Sequence, residues 1–248
     1  MLGKEMSKKY KGKTCVYCQE RPSISQGDHV FSRELFLESE RTKLIKVPCC
    51  DVCNNEKSKY EHYLTSLLPF GGLHEDAKNN LSLLVPPRLD KNLKLKKELK
   101  AGMKYLWNKD QDGSTMINLT VPIDGNRYME LFKYIVKALS WYHWGTFISK
   151  DSVVFTAALT KFGEEMFNQH LLSLRSKNAV SEVIGKNTIK YSGVQAVDDT
   201  EITVWKFEIY GGLVVSNTRN EWLHKSSSVG AISGPPSVVN PFIELCCK

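Results

Sequence analysis

The chain has 248 residues, of which 42% are hydrophobic and 25% charged, enough for one large domain or for a small module joined to a medium-sized one. No apolar run reaches the ~18 to 20 residues of a membrane-spanning helix, and the N-terminus lacks the apolar stretch of a secretory signal. These features argue against a membrane-spanning helix, and we expect a globular protein of the reducing cytoplasm.

The formal net charge is +7, and the lysines are concentrated in two clusters. The clusters are Lys4, Lys8, Lys9, Lys11 and Lys13 near the N-terminus, and Lys91, Lys94, Lys96, Lys97 and Lys100 in "KNLKLKKELK". Such clusters suit a polyanion, because each lysine that meets a phosphate releases condensed counterions. The alternative is a solvated tail and a solvated helix face.

Composition along the chain predicts four segments. Residues 1–13 form a basic tail, and residues 14–72 form a compact first domain that ends at the Pro/Gly punctuation "LLPFGG". Residues 73–102 form a basic, partly helical connector, in which Pro86 and Pro87 forbid a continuous helix. Residues 103–248 form a C-terminal domain.

The first domain contains two Cys-x-x-Cys pairs. Seven cysteines without a secretory signal do not indicate a disulfide framework. Cys15 and Cys18, with Cys50 and Cys53, offer the four thiolates of a closed structural zinc site. Cys49 is a rival to Cys50, and a set of buried free thiols is the alternative to a zinc site.

Between the pairs lies Asp28-His29. We predict a strand that carries this dipeptide, a returning strand near "KLIKV" and a helix that begins at Cys53-Asn54. Asp28 and Asn54 would offer hard oxygen ligands to one Mg²⁺ or Mn²⁺ ion. His29, with an ordinary pKa of ~6.5, would accept a proton from water.

Each of these polar residues also has a structural interpretation. His29 is alternatively a core or loop histidine, and Asp28 a loop cap. Asn54 is alternatively a helix N-cap, a role that does not exclude metal binding. Asn55, the next residue, is the alternative to Asn54 for the same role.

The C-terminal domain alternates between predicted strands and helices, which indicates an α/β or α+β architecture and an α+β protein overall. The aromatic run from Trp141 to Trp144 is interpreted as core, with base stacking as the alternative. In chain order the predicted elements are a strand "STMINLTVPI", a helix "RYMELFKYIVKALSWYHWGTFI", a strand "DSVVFTAAL", a helix "KFGEEMFNQHLLSLRS" and strands "NTIKYSGVQAV" and "EITVWKFEIYGGLVVS".

The order Cys-x-x-Cys, Asp-His, Cys-x-x-Cys-Asn-x-x-Lys-Ser resembles the HNH endonuclease family over residues 14–66. Members fold a ββα-metal finger and cut DNA with one divalent cation. The resemblance implies that His29 is the general base and that Asp28 and Asn54 bind the catalytic metal. It also implies zinc knuckles at the four cysteines and a nucleic-acid contact at Lys57, to which Lys11 and Lys13 would add backbone affinity.

One position departs from the family pattern. The family usually carries a central Asn about five residues before the second cysteine pair, where this chain reads "TKLIKVPCC". We expect a backbone carbonyl or Thr42 to take over its orienting role.

The resemblance implies an endonuclease that hydrolyses DNA phosphodiester bonds, with a C-terminal domain for targeting, control or binding of a protein partner or second copy. By analogy it is a bacterial or phage restriction or antiphage effector. The alternative, motivated by the missing Asn, is a catalytically decayed zinc-dependent nucleic-acid-binding or scaffold module in a larger complex.

Overall fold

The computed structural model describes residues 9–23, 27–109, 113–160, 163–165, 167–169, 176–216 and 223–246. Helices and strands are mixed along the chain, which confirms the predicted α+β class. The helices are α1 (Asp51–Gly71), α2 (Glu75–Leu83), α3 (Val85–Lys91), α4 (Leu93–Gly102), α5 (Gly125–Trp144) and α6 (Pro236–Cys246). The strands are β1 (Asp28–His29), β2 (Lys46–Val47), β3 (Lys104–Lys109), β4 (Thr115–Thr120), β5 (Val153–Leu159), β6 (Ser176–Ile184), β7 (Ile189–Ala196), β8 (Thr203–Ile209), β9 (Leu213–Ser216) and β10 (Leu223–Gly234).

The segment before α1 has little regular structure. β1 pairs antiparallel with β2, and each strand has only two residues. The predicted strands at Asp28-His29 and within "KLIKV" are therefore confirmed. Helix α1 begins at Asp51, before the predicted start at Cys53, because Cys50 is the N-cap and its sulfur accepts a hydrogen bond from the Cys53 amide at 3.5 Å.

Helix α1 continues through Pro69 and ends at Gly71, next to the boundary predicted at residue 72. Proline has no N–H, so the carbonyl of Thr65, four residues earlier, loses its helical donor. The guanidinium of Arg88 in α3 donates to that carbonyl at 2.9 Å. It also donates to the carboxylate of Glu34 at 2.9 Å and to the side-chain oxygen of Asn80 at 3.1 Å.

The predicted connector folds as three short helices. Pro86 and Pro87 separate α2 from α4 as expected, but they lie in the first turn of α3, where a helix needs no N–H donor. In α4, Leu95 and Leu99 are buried. Four lysines of the second cluster lie exposed on or beside this helix: Lys91, Lys94, Lys97 and Lys100.

The C-terminal half is built on an antiparallel sheet of order β5-β10-β8-β7-β6, with β9 paired to β10. Helix α5 packs against β5, β10 and α1, and its side chains Phe132 and Leu139 are fully buried. It ends at Gly145, whose φ of 69° is a left-handed conformation that glycine adopts readily. β3 and β4 form a separate two-stranded sheet.

One hydrophobic core runs across the predicted segment borders. The ring of Phe31 lies 5.7 Å from that of Tyr191 in β7, and the ring of Tyr17 lies 5.0 Å from that of Tyr134 in α5. Directly after α1, the amide of Leu73 donates to the carbonyl of Tyr210 at 2.8 Å. The hydrophobic core is therefore continuous across the border that was predicted at residue 72.

The aromatic run at the end of α5 contributes mainly to this core, as the sequence favoured. The ring nitrogen Nε2 of His143 lies 2.9 Å from the hydroxyl of Tyr191. Trp144 packs against Trp205, with ring centroids 4.8 Å apart. Tyr142 differs, because 48% of it is exposed.

Most predicted C-terminal elements are found. β4, α5, β5 and β7 match their predicted stretches, whereas "EITVWKFEIYGGLVVS" divides into β8 and β9 around residues 210–212, which all have positive φ. The predicted helix "KFGEEMFNQHLLSLRS" is helical at 163–165 and 167–169, and its other residues up to 175 lie outside the described residues. β3, β6, β10 and α6 were not predicted.

Replacing Arg88 with Met should destabilise the protein by about 2–3 kcal/mol, because the Thr65 carbonyl and the Glu34 carboxylate would lose a charged donor. The free energy of unfolding from urea denaturation measures this loss. The control is Lys91→Met at an exposed position of the same helix, for which we expect a change within about 0.5 kcal/mol. Equal effects of the two substitutions would contradict the role given to Arg88.

Candidate active site and metal centre

Four cysteines meet in space. The sulfur atoms of Cys15, Cys18, Cys50 and Cys53 all lie within 4.8 Å of one another, and those of Cys18 and Cys50 are 3.8 Å apart. A tetrahedral ion with Zn–S bonds of about 2.3 Å places its sulfur ligands about 3.8 Å apart. The cluster could therefore hold a metal ion such as zinc.

Backbone contacts bring the two cysteine pairs together. The amide of Val16 donates to the carbonyl of Pro48 at 3.1 Å, which joins the first pair to the chain before the second. Gln19 turns the chain away from the first pair with a φ of 60°. On the other side, Cys50 caps α1 and Cys53 lies in its first turn.

Cys49 is a buried fifth cysteine beside this cluster. Its thiol donates to the carbonyl of Cys50 at 3.1 Å. The neighbouring Cys49 side chain is the main cause that lowers the pKa of the Cys15 thiol to about 4. Cys49 is outside the group of four close sulfurs, which favours Cys50 as the predicted ligand.

The dipeptide Asp28-His29 forms β1. Asp28 lies opposite Val47, and His29 lies opposite Lys46. Gly27 precedes it with a φ of 79°, and a Cβ atom there would lie 2.6 Å from the ring of Tyr10 and 2.9 Å from the carbonyl oxygen of Val47. The approach to β1 therefore requires glycine.

The carboxylate of Asp28 is buried and held on one side. Its Oδ2 atom accepts a hydrogen bond from the hydroxyl of Tyr17 at 2.6 Å and lies 2.9 Å from the ammonium nitrogen of Lys57. Burial, and secondly the charge of Asp28, raise the pKa of Tyr17 well above its ordinary value, so the phenol keeps its proton. Within the described residues both contacts fall on Oδ2, which leaves Oδ1 for another partner.

Lys57 lies inside the fold, with a fully buried side chain. Its ammonium donates to the backbone carbonyl of His29 at 2.6 Å and to the carboxylate of Glu61 at 2.7 Å, besides its ion pair with Asp28. Burial alone would lower the pKa of Lys57, but the two carboxylates more than offset it and the pKa is raised. The sequence predicted a contact between Lys57 and nucleic acid, whereas its ammonium faces these acceptors and anchors β1 to α1.

His29 is partly buried beside this network. Burial, and secondly the charge of Lys46, lower the pKa of its imidazole to about 4, so the ring is neutral near pH 7. Within the residues that the structure describes, neither ring nitrogen makes a hydrogen bond. A neutral imidazole with a free ring nitrogen is able to accept a proton, but the lowered pKa makes this ring a weaker base near pH 7 than the ordinary imidazole expected from the sequence.

The other predicted site residues lie at the surface. Asn54 and Asn55 are both exposed in the first turns of α1. Because Cys50 is the N-cap, the alternative role of Asn54 as a cap is wrong. Lys11 and Lys13 are also exposed, and the Lys13 ammonium lies 5.8 Å from the ring centroid of Tyr10.

Tyr17 and Glu61 are site residues that the sequence reasoning missed. Glu61 follows Lys57 by four residues on a helix, a spacing that favours an ion pair and was available as a signal. Tyr17 lies between two of the clustered cysteines, and nothing in the sequence connects it to Asp28.

The chain matches no protein-family model, no curated protein and no solved structure in the comparisons made. Among the described helices, none combines the length and apolar character required to cross a bilayer. The interpretation of the site therefore depends on its own residues and their contacts.

Replacing Lys57 with Met should destabilise the protein by about 3–5 kcal/mol, because Asp28 and Glu61 would be left buried without their cation. Urea denaturation measures the change in the free energy of unfolding. Lys59→Met is the matched control, since Lys59 is exposed on the same helix and should cost no more than about 0.5 kcal/mol. A loss at position 57 no larger than at position 59 would contradict the anchoring role.

Proposed function

We propose that this protein is a metal-dependent endonuclease of the HNH type that hydrolyses phosphodiester bonds of DNA. The observation that carries the proposal is the placement of Asp28 and His29. A buried carboxylate and a partly buried imidazole are adjacent on one short strand, which Lys57 anchors to α1. The helix begins at the four-cysteine cluster and carries the exposed Asn54 in its first turns.

The four cysteines would hold a structural zinc ion. A closed four-thiolate site leaves no open position for a substrate. It would instead fix the start of α1 against the turn that carries Tyr17. Since Tyr17 donates to Asp28 at 2.6 Å, the zinc site would position the carboxylate indirectly.

Asp28 and Asn54 would hold the catalytic cation. A carboxylate oxygen and an amide oxygen are the ligand types that Mg²⁺ and Mn²⁺ prefer, and the Oδ1 atom of Asp28 is left over by its contacts with Tyr17 and Lys57. The bound cation would neutralise charge on the phosphate and on the leaving oxygen.

His29 would act as the general base. A ring nitrogen accepts a proton from water while the water oxygen bonds to phosphorus, and the bond from phosphorus to the leaving oxygen breaks. Lys57 would keep this base in place through the carbonyl of His29, at 2.6 Å. Lys11 and Lys13, both exposed, would add affinity for the phosphate backbone.

A second candidate function is a zinc-dependent nucleic-acid-binding or scaffold module without catalysis. The ion pair of 2.9 Å between Lys57 and Asp28 favours it, because a neighbouring ammonium weakens the attraction of a carboxylate for a divalent cation. The missing central Asn points the same way. The cleavage experiment below separates the two functions.

Metal analysis of the purified protein should find one tightly held zinc ion per chain. Cys53→Ser should release it and unfold the N-terminal part, since the binding energy of a structural zinc is folding energy. Cys49→Ser, at the buried cysteine outside the cluster, should retain the zinc. If Cys49→Ser lost the metal and Cys50→Ser kept it, the assigned ligand set would be wrong.

Plasmid DNA incubated with Mg²⁺ or Mn²⁺ should be cut by the wild type, and His29→Ala should lower the rate by about 10²- to 10⁴-fold, the range for loss of a general base. Asn54→Ala should also lower the rate, whereas Asn55→Ala, at the exposed neighbour, should leave it unchanged. Undiminished cleavage by His29→Ala would refute the catalytic assignment. DNA binding without cleavage by the wild type would favour the binding module.

A further inference from the structure

A basic cleft lies between α1, α4 and α5, away from the cysteine cluster. Its volume is about 150 Å³. Three cationic side chains line it, Lys59 from α1, Lys94 from α4 and Arg127 from α5, and Glu98 is the one carboxylate among the lining residues. An excess of positive charge in a cleft attracts anions and concentrates them there.

The cations of the cleft differ in how they are held. The Arg127 guanidinium lies 4.7 Å above the ring of Tyr63 and 3.2 Å from the carboxylate of Asp124, so it already has partners inside the protein. Lys59 and Lys94 are exposed, and in the part of the chain that the structure describes they form no ion pair. These two ammonium groups are available to an incoming anion.

The size of the cleft limits the ligand. Pockets for drug-sized molecules begin at about 300 Å³, roughly twice the volume of about 150 Å³ found here. The cleft has room for a phosphate group with its waters. The lining therefore suits a phosphate that belongs to a larger molecule remaining outside the cleft.

The position of the cleft connects it to the candidate active site. Lys59 and His62 lie on the same helix as Asn54, five and eight residues later, which corresponds to about 8 to 12 Å along the helix axis. Successive phosphates of one DNA strand are spaced by about 3.4 Å along the duplex axis. The cleft thus lies about one and a half to two helical turns along α1 from the proposed metal ligand Asn54.

We infer that this cleft binds a backbone phosphate of the nucleic-acid substrate, a few nucleotides from the bond that is cut. The inference rests on the proposed function for the identity of the substrate. Lys59 and Lys94 make the direct contacts, and Arg127, whose charge Asp124 partly neutralises, lies beside them. This second contact would set the direction in which the strand runs across α1.

The test compares two double variants of the His29→Ala protein, which keeps the labelled DNA duplex uncut. Lys59→Gln with Lys94→Gln removes both free ammonium groups of the cleft. Lys97→Gln with Lys100→Gln removes the same charge from exposed positions of α4 that do not line it. Affinity is measured over a series of salt concentrations without added Mg²⁺.

The cleft variant should bind the duplex on the order of tenfold more weakly, and the salt dependence of its binding should fall by about 1 in slope, the value for loss of one phosphate contact. The control variant should lose less. Equal losses in both variants would overturn the inference, because diffuse charge would then explain the binding. Circular dichroism confirms that both variants are folded.

Two further outcomes distinguish phosphate binding in the cleft from the proposed catalysis, and a nucleic-acid phosphate from free phosphate. If the wild type binds DNA through the cleft but does not cut it, the cleft stands and the proposed catalysis fails. Inorganic phosphate, titrated at constant ionic strength, probes the other possible source of the ligand. If inorganic phosphate displaced the duplex at a concentration no higher than that of the protein, the assignment to a nucleic-acid backbone would be wrong.

Discussion

The candidate site depends on one buried ammonium group. A lysine whose side chain is fully buried, as that of Lys57 is, needs partners, because an uncompensated charge inside a protein costs several kcal/mol. Its partners are the carbonyl of His29, the carboxylate of Asp28 and the carboxylate of Glu61. β1 has only two residues, too few to be stable alone, so this cation largely fixes its position against α1.

The same network decides which atoms remain for chemistry. Tyr17 and Lys57 both contact the Oδ2 atom of Asp28, so the carboxylate cannot rotate without losing two interactions. Burial raises the pKa of Glu61, and the charge of Lys57 opposes that increase. The Lys57 ammonium thus forms ion pairs with two carboxylates, Glu61 on the helix and Asp28 on the strand. The Oδ1 atom of Asp28 is left for a ligand.

The sequence predicted those parts of the site that depend on local spacing. Two residues between cysteines are enough to place both sulfurs of a pair near one point, and the position of Asp28-His29 between the two pairs predicted the short strand that carries it. The family resemblance predicted that Lys57 faces phosphate. The residue type could not correct this prediction, because it does not tell which side of a helix is buried. The sequence also could not predict that the hydrophobic core is continuous across the segment borders. This continuity depends on contacts between residues far apart in the chain, such as Phe31 and Tyr191. β10 was missed because its "KSSSVGAISG" stretch lacks an apolar alternation.

The chain reads "TKLIKVPCC" where the family that it resembles usually carries a central Asn. Thr42, its expected substitute, is exposed, and within the described residues its side chain makes no hydrogen bond. The orienting contact comes instead from inside the fold, where Lys57 donates to the carbonyl of His29 at 2.6 Å. Because this contact acts on the backbone, it restrains the dipeptide without occupying the imidazole. Strand pairing with Lys46 restrains the same stretch of backbone, so under the proposed function the imidazole would stay free to accept a proton from water while its backbone is held.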